Sequence, residues 1–266
     1  MAPRGRPRAR THRDAHGALT GPRTPGHIHR LGEETALIRT VVFDALGTLI
    51  LLREPVGDTY ARVARQYGVS LPAWRLEDAF RRVLARTPAM VFPGATPAQA
   101  RERERTWWRS VVRAVFRAAD QMAAFADFDA LFDALFAHYA EPGAWRAAPG
   151  AVELLPRLHA TGRRVAVASN FDHRLPAILD GLRLTPLDAV LLPADLGAAK
   201  PDPAFFAAVA ARLATKPIEA LYVGDEPEQD VAAARRAGWR AVDVATLATL
   251  GALPAHIDAL EETPAP

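Results

Sequence analysis

The sequence has no cysteine, which excludes disulfides, thiolate metal sites and cysteine nucleophiles but says little about compartment. No apolar run approaches the ~18 residues that a membrane-spanning helix requires. The best candidate, 40–52, is interrupted by Asp44, so a protein that stays off membranes is expected. The start has no long apolar segment of the kind that directs export, and a cytoplasmic location is expected. Lysine is also scarce: only Lys200 and Lys216 stand among 33 basic residues. Against that arginine bias, each lysine becomes informative.

The formal net charge is +3, but it is unevenly spread: residues 1–30 carry seven arginines and one aspartate, which leaves the rest at −3. A basic patch on a folded domain would point to nucleic acid. Here the charge lies in a segment, 1–36, rich in Pro, Gly, Arg and His without apolar periodicity, so disorder is expected. It reads as an extension, and no nucleic-acid partner is expected. The sequence leaves monomer and homodimer open.

What is present is a chain of 266 residues, half of them hydrophobic, enough for one α/β core and an accessory lobe. Short apolar runs at 37–43, 164–168, 189–192, 220–223 and 241–244 read as buried strands. Helical patterns alternate with them at 151–160, 173–182, 203–213 and 228–237, which predicts a doubly wound parallel sheet. Residues 53–148 differ. They carry helical periodicity over 59–67, 76–86, 97–119 and 127–139 and no convincing strand, so an all-helical insertion is expected between core segments 37–52 and 149–266.

In an open α/β sheet ligands bind at the carboxyl ends of the strands. Asp44 ends the first run, followed by Leu46, Gly47 and Thr48; Ser169 and Asn170 end the second; Lys200 follows the third; Asp225, with Asp230 five residues on, ends the fourth. A nucleophilic carboxylate, a hydroxyl, an ammonium and an acidic pair are the parts of phosphoryl transfer through a covalent aspartyl intermediate.

These residues stand in FDALGTLI, VAVASN, AAKPDPAFF and LYVGDEPEQD, which resemble, in order, the four motifs of the haloacid dehalogenase superfamily. Trp107-Trp108 and SNFDHRL further resemble its haloacid-dehalogenase-like hydrolase domain-containing protein 3 group. The resemblance implies a Rossmann-like core with a helical C1 cap and a small phosphorylated substrate. It also implies Asp44 as nucleophile, with Mg²⁺ held by Asp44, the Leu46 carbonyl and Asp225. Thr48, Ser169, Asn170 and Lys200 would bind substrate, Ser169 and Lys200 serving catalysis as well, and Asp230 would orient Lys200 or a metal-bound water.

At one position the chain departs from the phosphatase pattern, which has a second aspartate two residues after the nucleophile. Here that residue is Leu46. Leucine transfers no proton, and a positioned acid–base group contributes about 10²–10⁴ in rate. Two other readings therefore stand beside phosphate hydrolysis. One is a binding or regulatory module with weak catalysis. The other is a 2-haloacid dehalogenase, whose halide leaves unprotonated but whose family members work without a metal. A phosphonate hydrolase needs a cap lysine, and 53–148 has none.

Simpler roles compete for several of these residues. Ser169 and Asn170 suit the cap of a following helix. Trp107, Trp108 and Trp145 suit a helical core, Arg109 and Arg113 a solvated face, and His173 a surface or capping role in preference to a substitute proton donor.

Overall fold

Three consecutive residues of one strand, Val41, Val42 and Phe43, have no exposed surface. A strand buried on both faces belongs in the middle of a covered sheet. The computed structural model of the chain describes residues 37–120, 125 and 127–262; the segment expected to be disordered, 1–36, lies outside them. In chain order the first elements are β1 (Thr40–Phe43), β2 (Ile50–Leu52) and the helices α1 (Val56–Gln66), α2 (Ala73–Leu84), α3 (Pro97–Ala119) and α4 (Phe128–His138). Then come β3 (Trp145–Ala147), α5 (Ala151–Ala160), β4 (Arg164–Ala168), α6 (Leu175–Gly181), β5 (Ala189–Leu191), α7 (Pro193–Leu196) and α8 (Pro203–Arg212). The last are β6 (Ala220–Gly224), α9 (Ala233–Arg236), β7 (Arg240–Asp243) and α10 (Leu253–Glu262).

The sheet runs β5-β4-β1-β6-β7 with every pairing parallel. Side chains alternate across it, as strand geometry requires. Val41, Phe43, Val165, Val167, Leu221 and Val223 face a core shared with α5, α6 and α10. Val42, Ala166, Ala168, Ala220 and Tyr222 face one shared with α8 and α9. The result is the expected α/β, Rossmann-like doubly wound sheet. Fully burying one such side chain contributes roughly 1.5–3 kcal/mol, so both apolar faces hold the three central strand ends in register.

Helices α1 to α4 bury a third apolar cluster of their own, built on Tyr60, Leu76, Val115, Phe116, Leu131 and Leu135. α3 starts where its sequence says it should. Pro97 occupies the first turn, Thr96 accepts from the Gln99 N–H at 3.4 Å, and Gln99 Oε1 accepts from the Thr96 N–H at 3.0 Å, a reciprocal cap. Arg109 and Arg113 are not merely solvated. Arg109 pairs with Asp129, and the Arg113 guanidinium lies 4.0 Å from the Phe128 ring centroid, so both tie α3 to α4.

Several expectations are corrected. A strand does fall within 53–148: β3 pairs antiparallel with β2, Ile50 opposite Ala147. Three residues are too few to display alternation in sequence. Trp145, on β3, packs into the sheet's core and not the helical one. β1 starts at Thr40, later than the apolar run suggests, and the Ile38 N–H before it donates to the Glu261 carboxylate at 2.8 Å instead of to a neighbouring strand. The helix expected over 228–237 is a π turn, Pro227–Ala232, before α9. No helix among the described residues is long and apolar enough to cross a membrane.

Candidate active site

β4, β1 and β6 are adjacent, so their carboxyl ends bring Ser169, Asp44 and Asp225 side by side. The Asp44 N–H donates to the Val223 carbonyl at 2.9 Å, which carries the sheet one residue past β1 and fixes where the carboxylate emerges. The chain then turns sharply, the Ala45 carbonyl accepting from the N–H groups of Thr48, Leu49 and Ile50. Gly47 sits at φ +85, where other residues are strained, and a Cβ there would fall 2.0 Å from Asp225 Oδ2. The glycine is therefore required twice, by the turn and by the carboxylate against it.

Lys200 reaches the same point from the loop after α7. Its Nζ lies 2.8 Å from Asp44 Oδ1 and 2.5 Å from Asp230 Oδ1. The approach to Asp44 has ion-pair distance without hydrogen-bond angles, since Asp44 Oδ1 has no hydrogen-bond partner among the described residues. Burial alone would lower the Lys200 pKa, but Asp44, the Tyr222 hydroxyl and Asp230 hold it well above the usual lysine value, so the group stays cationic. The Asn170 carboxamide brackets the Lys200 backbone, accepting from its N–H at 2.9 Å and donating to its carbonyl at 3.0 Å.

Asp230 is fully committed. Its second oxygen, Oδ2, accepts from the main-chain N–H groups of Asp225 at 3.2 Å and Glu226 at 3.1 Å. The π turn makes this reach possible, widening the backbone so that Asp230 points back under β6; such turns recur at functional sites. Gly224 leaves room, since a Cβ there would meet Asp230 at 2.3 Å. Oxygens of Asp44, Asp225 and Asp230 lie within 4.8 Å of one another, but with Asp230 occupied, Asp44 and Asp225 are the pair free to ligate. Asp225 accepts from the Thr48 hydroxyl at 3.1 Å. Burial, then the Asp44 charge, push its pKa up to about 6 against the pull of Thr48. Three carboxylates against one ammonium form a hard-oxygen donor set short of positive charge, a chemistry that suits a divalent cation.

A cavity of about 330 Å³ opens over this cluster, lined by Asp44, Leu46, Ser169, Asn170, Lys200 and Asp225 on one side and by apolar side chains of α1 to α4 on the other. Six of the eight site residues named from sequence thus share one wall. Thr48 does not line it; its hydroxyl is spent on Asp225, so it supports that carboxylate instead of meeting substrate. Asp230 lies behind Lys200. Ser169 and Asn170 do not cap the next helix, which starts at Leu175.

His173 is also outside the cavity lining. Its Nδ1 pairs with Oε2 of Glu104 on α3 at 2.5 Å. Sequence reasoning missed its neighbours. Asp172 is fully buried and takes Arg174 Nε at 2.8 Å, Arg174 Nη2 at 2.5 Å and the Trp108 indole N–H at 2.6 Å. The Arg174 guanidinium stacks 4.0 Å from the Phe136 ring centroid and lines the cavity. No local pattern signals the junction, because Asp172 and Arg174 stand in the largely polar run Ser169-Asn170-Phe171-Asp172-His173-Arg174. Trp107 and Trp108 both pack against the helical core and line the cavity.

With this geometry in hand, the comparisons decide the family: residues 38–238 match the haloacid dehalogenase-like hydrolases. The chain belongs to that family. It is 36% identical over 189 residues to the mouse haloacid dehalogenase-like hydrolase domain-containing protein 3, covering 71% of this chain and 74% of that one. A solved dehalogenase with an intermediate complex is 27% identical with a TM-score of 0.56, covering 79% and 85% of the two chains. A haloacid dehalogenase-type phosphatase from Thermococcus onnurineus, 22% identical, shares the fold with a TM-score of 0.54 over 82% of this chain and 97% of that one. The chain is a hydrolase of this family.

Proposed function

We propose that the protein is a Mg²⁺-dependent hydrolase of small phosphorylated metabolites that works through an aspartyl-phosphate intermediate on Asp44. The observation that carries the reading is the charge of the cluster. Asp44 and Asp225 share one cavity wall, and the nearest ammonium, Lys200, is also claimed by Asp230. Asp44, Asp225 and the Leu46 carbonyl would hold the ion. Bound there, Mg²⁺ supplies positive charge that offsets the two carboxylates and the phosphoryl oxygens.

The rest is the work of the chain. Asp44 attacks phosphorus. The Ser169 hydroxyl and the N–H groups of Leu46 and Asn170 hold the phosphoryl oxygens, Lys200 offsets the charge shared by nucleophile and substrate, and Asp230 keeps Lys200 in place. Residues 53–148 act as the cap that excludes water. The partner is a small molecule, not nucleic acid, bound by a monomer or homodimer in the cytoplasm.

A phosphate-ester panel with and without Mg²⁺ tests this reading: turnover should vanish on chelation and in Asp44→Asn. Turnover that survives in Asp44→Asn overturns it. A second reading, 2-haloacid dehalogenation, is favoured by Leu46 and by the likeness to a solved dehalogenase, and its mark is metal-free chloride release from 2-chloropropionate. Silence in both assays would leave a binding module.

A further inference from the structure

Opposite the charged cluster the cavity wall is largely made of rings, and the indole nitrogens on it are already used. The indole N–H of Trp107 donates to the Pro88 carbonyl at 3.0 Å, that of Trp108 to Asp172, and that of Trp145 to the Tyr139 carbonyl at 3.2 Å. Arg174 is neutralised by Asp172. Tyr60 and Tyr139 also line the cavity, and burial pushes both phenols well above the ordinary range, so they stay neutral. Glu226 and Gln229 are solvent-exposed. Leu46, 41% exposed, turns an isobutyl group into the same space. The wall therefore offers contact area to a hydrophobic group and, with leucine at position 46, no carboxylic acid there to a departing oxygen.

Resting on the phosphohydrolase reading above, we propose that the site selects phosphates of aromatic or enolic alcohols, compact apolar groups that leave as stabilised anions. In the first step an Asp44 oxygen bonds to phosphorus while the phosphorus–oxygen bond to the aryl group breaks, its electron pair leaving on the aryloxide. No proton is needed. In the second, a water oxygen bonds to phosphorus and the bond to Asp44 breaks, returning the carboxylate; the proton lost by that water ends on the aryloxide or the released phosphate. Leu46 cannot draw off that proton, so the second step is the slow one and phosphorylated Asp44 accumulates. Selectivity thus arises from two features, an apolar wall that binds the ring and a missing acid that penalises alkoxide leaving groups.

The test uses the full-length protein with Mg²⁺, phenyl phosphate and cyclohexyl phosphate, esters of similar size with very different leaving groups. The expected result is a burst of phenol equal to the enzyme present, then slow turnover, and at least ~100-fold lower kcat/KM for cyclohexyl phosphate, the factor a missing general acid accounts for. Leu46→Asp should remove the burst and narrow the ratio. In the unaltered protein, phenylphosphonate, which cannot be cleaved, should quench tryptophan fluorescence at ~10-fold lower concentration than methylphosphonate. Equal rates for the two esters, or equal binding of the two phosphonates, would overturn the selectivity while leaving phosphate hydrolysis intact. Failure of every ester alongside metal-free chloride release from 2-chloropropionate would instead remove the reading on which it rests.

Discussion

Asn170 holds Lys200 by its main chain, with one carboxamide making both bonds to the same residue. The ammonium at the far end of that lysine lies 2.8 Å from Asp44, so a side chain on one strand end sets the position of a charge delivered by another loop. Asn170→Ala should lower kcat by up to ~100-fold, the cost that a misplacement of about 1 Å carries. Stability should fall by only ~1–3 kcal/mol, the usual cost of unsatisfied hydrogen-bonding groups. Steady-state kinetics beside thermal melts separate the two effects; a variant with unchanged kcat would contradict this positioning role.

Removing the ammonium should do more. Lys200→Met leaves Asp44 and Asp230, both buried, without their shared cation, and breaking a buried pair typically costs ~3–5 kcal/mol. Adding Asp230→Asn should restore part of that stability, because the amide oxygen still accepts from the N–H groups of Asp225 and Glu226 while the charge is gone. Activity should not return. Urea denaturation of the single and double variants measures the difference, and a Lys200→Met protein as stable as the parent would count against the buried network.

The strand pattern was legible because β1, β4 and β6 are short apolar runs buried on both faces, and the polar residues that follow them could be read as strand ends. Gly47 and Gly224 were visible as breaks, but not as the spaces that Asp225 and Asp230 need. β3 was hidden because three residues carry no period. The π turn was hidden because its cause, Asp230 accepting from two N–H groups behind it, is a tertiary commitment that helix propensity does not encode. Thr48 was read as a substrate ligand from its place in the motif, and only the approach of Asp225 across the turn shows why its hydroxyl is spent. The Asp172–Arg174–Trp108 junction joins residues 64 apart in sequence, and no local pattern announces such a pairing.

That junction has a pH signature. Burial raises the Asp172 pKa, but hydrogen bonds and charge from Arg174 outweigh it and hold the carboxyl below its ordinary value of 3.8. A folded-state pKa below the unfolded one stabilises the protein at pH above 3.8, and the stabilisation is lost as pH falls through the lower folded-state value. Asp172→Asn should therefore cost stability near neutrality, and the gap from the parent should close in acid. Melting temperatures of both proteins across the acid range check this; a gap that stays constant with pH would contradict it.

The central claim is that Asp44 becomes covalently phosphorylated, and acid-quenched mass spectrometry during turnover of phenyl phosphate tests it most directly. The account predicts a phosphoryl increment on the peptide containing Asp44, present with Mg²⁺ and absent after chelation or in Asp44→Asn. An increment on any other residue, or turnover with Asp44 left unmodified at every quench time, would contradict it.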